Sequence, residues 1–135
     1  MDIVADTNIL ILFFRQNPIY DIISNSALYN LKLFVPDLAI EELKKNKEAI
    51  LKYTNKTKEE VTKLTEKLKS NLIIINKKYF WHYENEAKSL VPHEKDIPFF
   101  ALALYLQAPI WSNELAFQNQ SKIKILRTKD LIEIL

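Results

Sequence analysis

Asp6, Glu42, Asp96 and Glu114 are the residues whose type and position suit them for chemistry. They sit at element ends rather than on solvated faces. Asp6 closes the short apolar stretch 2–5, Glu42 follows the apolar segment 33–35, Asp96 opens an apolar helix, and Glu114 comes just after Ile110 and Trp111. Carboxylates gathered in one place repel, so they stay ionised at neutral pH only when cations share the site. Ligands made only of oxygen favour Mg²⁺ or Mn²⁺ over zinc. Each acid also has a plain structural reading: Asp6 as a partner for a helix N-terminus, Asp96 as the N-cap of the helix behind it, Glu114 as an exposed loop acid. Glu41 adjoins Glu42, and sequence register leaves open which of the two faces a site.

The elements that must carry these acids alternate. Residues 2–5 read as a buried strand ending at Asp6, and 7–15 as a helix that Pro18 closes. Ile19, Ile22, Ile23, Ala27 and Leu28 give residues 19–30 the spacing of an amphipathic helix. A second strand, 33–35, leads through Pro36 and Asp37 into a long helical segment, with a break near 54–57 that makes it two helices. Further strands are expected at 72–75, at Ile110 and Trp111 and over 122–126, with helical regions at 79–90, 96–106 and from Thr128. Such alternation predicts an α/β fold, a three-layer sandwich whose mainly parallel central sheet is flanked by helices. In such a fold active groups collect beyond the C-terminal ends of the strands, where all four acids can meet. With 135 residues and no linker, repeat or low-complexity tract, residues 1–135 are expected to form one domain.

Composition narrows the chemistry. There is no cysteine, which excludes disulfides, thiolate metal sites and cysteine nucleophiles and fits a reducing interior. There is no glycine either, so neither a Walker A loop nor a GxGxxG dinucleotide site can exist. Nineteen basic against 17 acidic side chains leave a net charge of +2, which by itself points to no class of partner. The apolar run 9–14 follows two aspartates without a basic leader, and no stretch reaches the ~18–20 apolar residues of a membrane span. The expectation is a cytoplasmic protein.

Other features have weaker functional readings. Lysines 44, 45, 47, 52, 56, 58, 63, 67 and 69 line the long helical segment among glutamates, as a solvated arm with i,i+4 pairs or a contact for RNA or a partner. Tyr79, Phe80, Trp81 and Tyr83 suit core packing or a dimer contact, with base stacking as the alternative. His82 and His93 lack paired metal-ligand spacing and read as surface or core residues, while Lys95 and Arg127 are isolated cations able to meet a phosphate.

The run Asp6-Thr7-Asn8-Ile9-Leu10 resembles the opening motif of PIN-domain nucleases, a first-strand aspartate followed by Thr or Ser and then Asn. The later pieces come in the same order: Glu42-Leu43 after an apolar strand, then the stretch 96–103 from Asp96, then Ile110-Trp111-Ser112-Asn113-Glu114. The resemblance spans almost the whole chain and selects Glu42 over Glu41, since the family places its acid directly before leucine. It implies the PIN fold and a metal-assisted phosphodiesterase acting on RNA, many of whose bacterial and archaeal members are VapC-like toxins paired with a protein antitoxin. Dimerisation is implied too, although no stripe here marks an interface. Asp6, Glu42 and Asp96 fall on the family's acidic positions. Glu114 falls where the family usually has aspartate, and Ala116 replaces a further acid often found two residues later.

The reading is therefore an endoribonuclease in which Asp6, Glu42, Asp96 and Glu114 hold Mg²⁺ or Mn²⁺, the ion activating a water and stabilising charge on the scissile phosphate. Asn8 serves as a local cap or as a hydrogen-bond partner of a carboxylate or metal-bound water, and Ser112 orients substrate or Glu114. The rival readings are a PIN module that binds RNA or protein as a scaffold, and a phosphohydrolase with Asp6 as nucleophile. The latter expects a second aspartate two residues on, where Asn8 stands.

Overall fold

The computed structural model describes residues 1–15 and 17–135. In chain order the strands are β1 (Asp2–Ala5), β2 (Lys32–Pro36), β3 (Leu72–Ile75), β4 (Ile110–Trp111) and β5 (Ile125–Leu126). The helices are α1 (Thr7–Leu12), α2 (Pro18–Ser24), α3 (Asp37–Lys45), α4 (Lys47–Thr54), α5 (Lys58–Ser70), α6 (Glu84–Lys88), α7 (Ile97–Leu106) and α8 (Thr128–Ile134). The strands form one sheet in the order β3-β2-β1-β4-β5, and every pairing is parallel. Parallel strands need crossovers that cover the sheet with helices, and the result is the expected three-layer α/β sandwich.

The strand order places the site. From β1 the chain steps outward through β2 to β3, then returns across the sheet to β4 on the other side of β1. The loops leaving β1 and β4 therefore diverge, opening a crevice at the C-terminal edge. Ala5 lies opposite Trp111 in the ladder, and the Asp6 N–H donates to the Trp111 carbonyl at 3.2 Å, so the residues just after the two strands emerge side by side. Below them runs α7, Ile-Pro-Phe-Phe-Ala-Leu-Ala-Leu-Tyr-Leu, apolar on all sides and packed on β1, β2 and β4, with Phe99 to Ala103 all buried. A helix without a polar stripe has to be interior, and this one is the floor on which the edge loops rest.

Several boundaries differ from the sequence expectation. Pro18 opens α2 instead of ending the helix before it: it stands at the first helical position, where its missing N–H costs nothing, and Asn17 caps Ile19 and Tyr20. That helix stops at Ser24, not Asn30, and the chain turns through Asn30 in the left-handed region, φ 54°. The long segment is three helices, not two, because the chain also breaks at Asn46, whose amide donates back to the Glu42 carbonyl at 2.8 Å. The second break falls where expected: Asn55 turns left-handed, φ 55°, and Thr57 with Glu60 forms a reciprocal capping box for α5. In the lysine-rich arm only Lys63 and Glu59 form an i,i+4 ion pair among the described residues, at 3.8 Å and well exposed, too weak to organise the arm.

The region 79–90 is not one helix. Two 3-10 turns, Lys77–Tyr79 and Trp81–Tyr83, precede the short α6. Its aromatics divide: Phe80 is buried in the core, whereas Tyr79 and Trp81 are exposed. The last strand spans two residues because Gln120 takes the Ile123 N–H at 2.8 Å and keeps it out of a ladder. Among the described residues no helix is long and apolar enough to cross a membrane.

Candidate active site

Asp6 leaves β1 and at once caps α1, its Oδ1 accepting the Ile9 N–H at 2.9 Å. The structural reading of this acid is thus realised, and it does not exclude a second role, since the other carboxylate oxygen remains. Asp6 is only 5% exposed, and burial pushes its carboxyl up from 3.8 to about 6. The Ser112 hydroxyl and the Ile9 N–H oppose that rise, and the negative charges of Asp96 and Glu114 add to it. Three acids from opposite ends of the chain therefore act on one another electrostatically.

Asp96 departs from its expected cap role. It ends the 3-10 turn Glu94–Asp96 with φ −86° and ψ −9° and makes no side-chain cap bond to α7. An N-cap needs extended backbone and a free N–H two or three residues on; here the turn winds straight into the helix, and Pro98 has no N–H to offer. The carboxylate is left buried at 8% exposure with Oδ2 lacking any hydrogen-bond partner. Burial raises its pKa, Lys95 and His93 lower it, and Glu114 and Glu42 raise it again. A buried acceptor without a donor is costly unless something else meets it.

Glu42 projects from α3, where the Thr7 hydroxyl donates to its Oε1 at 3.0 Å. Glu41 lines a separate recess with Asp37, Lys77 and Glu84. Glu114 follows β4; its N–H donates at 3.0 Å to the hydroxyl of the fully buried Ser112. Ser112 therefore ties the Glu114 backbone to the neighbourhood of Asp6.

These parts face one cleft of about 280 Å³, lined by Asp6, Thr7, Asn8, Ile11, Glu42, Asn46, His93, Lys95, Asp96, Phe99, Glu114 and Phe117. All four acids picked out from the sequence reach it, and Asn8 stands exposed at its wall. Arg127 does not line it, being engaged with Asp130 at 3.5 Å near the start of α8. His93 is a surface residue, one of the two alternatives expected, and it lines the cleft as well. The role of Thr7 is new as well; its place between Asp6 and Asn8 in the opening motif was the available signal.

The donor set suits a hard divalent cation: carboxylate oxygens, one of them buried and unpartnered, in a place where negative charge is already crowded. Among the described residues, no three His, Asp or Glu side chains already stand in a cluster able to hold one ion. The fit is one of chemistry and location, and close coordination calls for the side chains to draw inward.

Comparison with known proteins gives the same frame. The family model for the PIN domain matches residues 4–130. Among solved structures, a chain in the crystal structure of VapBC2 from Rickettsia felis, bound to a DNA fragment from their promoter, superposes with a TM-score of 0.63. The two are 18% identical, and the match covers 94% of this chain and 98% of that one, a likeness of fold. No curated protein sequence matches significantly.

Proposed function

The chain belongs to the PIN-domain family of nucleases, and from that premise we propose that it is a divalent-metal-dependent endoribonuclease, the toxin of a toxin-antitoxin pair. The observation that carries the reading is that Asp6, Glu42, Asp96 and Glu114, drawn from four separate elements, line one cleft at the crevice between β1 and β4. The toxin role is supported by the likeness of fold to a chain of a VapBC complex, and the corresponding partner is a protein antitoxin.

Asp6, Glu42, Asp96 and Glu114 would hold the ion. Bound Mg²⁺ or Mn²⁺ supplies Lewis-acid chemistry, lowering the pKa of a water and offsetting charge on the phosphate. The chain's own part is placement. Asp6 is fixed by its cap bond to Ile9, Glu42 by Thr7, and Glu114 by the bond from its N–H to Ser112. Glutamate at 114 reaches one methylene further into the cleft than aspartate would from the same backbone position.

The test is cleavage of single-stranded RNA with Mg²⁺ or Mn²⁺. Activity is expected to disappear with chelator and in Asp6→Asn, and induced expression of the wild type, not the variant, to arrest growth. RNA binding without cleavage under any divalent ion would instead favour the scaffold reading. The Thr7 contact gives an independent check. Thr7→Val keeps the side-chain shape but frees Glu42, so Mn²⁺ affinity by titration calorimetry is expected to weaken about tenfold. A loss below about twofold would mean that the hydroxyl does not position Glu42 for metal.

A further inference from the structure

The cleft that gathers the acids also presents two basic side chains that the metal chemistry does not use. His93 and Lys95 line it beside Asp96, from the extended residue and the 3-10 turn that lead into α7. Glu94, between them, does not line it, so the turn offers its bases to the cleft and its surface acid to solvent. The position of Lys95 is felt at the site: among its neighbours' charges, it does most to favour the ionised form of Asp96. Yet among the described residues neither Lys95 nor His93 enters an ion pair, although four carboxylates line the same space.

A lysine set among acids ordinarily neutralises the nearest one. Here the cation is held off from pairing and remains available to a third party. An anionic ligand meets repulsion from four carboxylates on entering this cleft, and an unpaired cation at its wall offsets part of that repulsion. We propose that Lys95 and His93 form a phosphate subsite, the Lys95 ammonium and an imidazole N–H of His93 taking the non-bridging oxygens of an RNA backbone phosphate. Imidazole donates one N–H even when neutral, so the contact does not depend on its charge. The run His-x-Lys-Asp thus combines a phosphate grip with a carboxylate from the acidic set. This inference rests on the nuclease reading, and its test is built to fail separately from it.

A fluorescein-labelled single-stranded RNA serves both for steady-state cleavage and for binding by anisotropy in Ca²⁺ over a series of NaCl concentrations. Lys95→Met is expected to raise KM and Kd about five- to tenfold and to flatten the salt dependence by about 0.7 in log–log slope, the loss of one phosphate contact to a single strand. The change in kcat is expected to stay within about threefold. Lys95→Arg should recover the slope, and His93→Gln should raise KM without changing it. Unchanged Kd and slope in Lys95→Met overturn the proposal, as does a fall in kcat with KM and slope intact. If the wild type cleaves nothing, the nuclease reading fails while the anisotropy still decides: a slope reduced in Lys95→Met retains the subsite, and an unchanged slope or no RNA binding removes it.

Discussion

Asp6→Asn is expected to slow RNA cleavage by two to four orders of magnitude and, at pH 7 without metal, to make the protein more stable. The second effect follows from burial. Asp6 titrates near 3.8 when unfolded and at about 6 in the fold. Between those values the folded state holds more protons than the unfolded one, so the contribution of this group to stability falls as pH rises through the window and stays low above it. At pH 7 the gap corresponds to at most about 3 kcal/mol. Asparagine retains the cap bond to the Ile9 N–H, being as good an N-cap as aspartate, so most of the relief should be realised. A gain of about 1–3 kcal/mol, or roughly 3–10 °C in melting temperature, is expected in chelator at pH 7, shrinking toward zero as the pH approaches 3.8. Saturating Mg²⁺ should stabilise the wild type and leave the variant nearly unmoved. A metal-free variant that melts below the wild type at pH 7 would show that burying this carboxylate does not weaken the fold.

The same tension explains which parts of the site were legible in the sequence. Acids placed after apolar strands stand out because a strand end is a poor place for an unneeded charge, and Asp6 and Glu114 were found in that way. Glu42 could be separated from Glu41 only by likeness to a family pattern, since adjacent helical residues differ by about 100° and either can face a site. Asp96 was located but its structural alternative was wrong, because an acid followed two residues later by proline reads as a cap until the backbone angle is known. His93 was passed over. Its place at the cleft follows from where the turn before α7 sits against the acids of other elements, and no metal-ligand spacing announces it.

Legibility of the fold failed where the usual punctuation is missing. A chain without glycine must end helices and turn by other means: Asn55 and Gln107 close α4 and α7 at positive φ, Asn46 breaks the long segment, and Asn30 takes positive φ in the turn before β2. Asparagine tolerates the left-handed region through local hydrogen bonding, but it also occurs on ordinary surfaces, so the stop signals at 25–30 and 46 were invisible. Residues 79–83, which lie in 3-10 turns, were read as part of a helix over 79–90, because 3-10 contacts also repeat at i,i+3, the spacing of Phe80 and Tyr83. The strands read more clearly, since β-branched runs bounded by turns leave few alternatives.

The core beneath the cleft supplies the largest stability effect. Phe100 is fully buried in α7, and its ring meets that of Phe117 at 5.0 Å between centroids with an interplanar angle of 70°. Phe117 lines the cleft from the 3-10 turn Leu115–Gln118, which begins directly after Glu114. Phe100→Ala is expected to cost about 3–5 kcal/mol, a large share of a domain's total, and to lower the melting temperature by roughly 10–20 °C. Leu102→Ala provides the contrast: it is equally buried in the same helix but has no ring to set against Phe117, and its expected cost is a similar ~2–5 kcal/mol. At a temperature where both variants remain folded by circular dichroism, Leu102→Ala should cleave RNA near the wild-type rate. Phe100→Ala should be slower by about tenfold, because Phe117 has lost its support and the loop carrying Glu114 is less well placed. Equal activity in the two folded variants would confine Phe100 to holding the fold and separate the floor of the cleft from the placement of its acids.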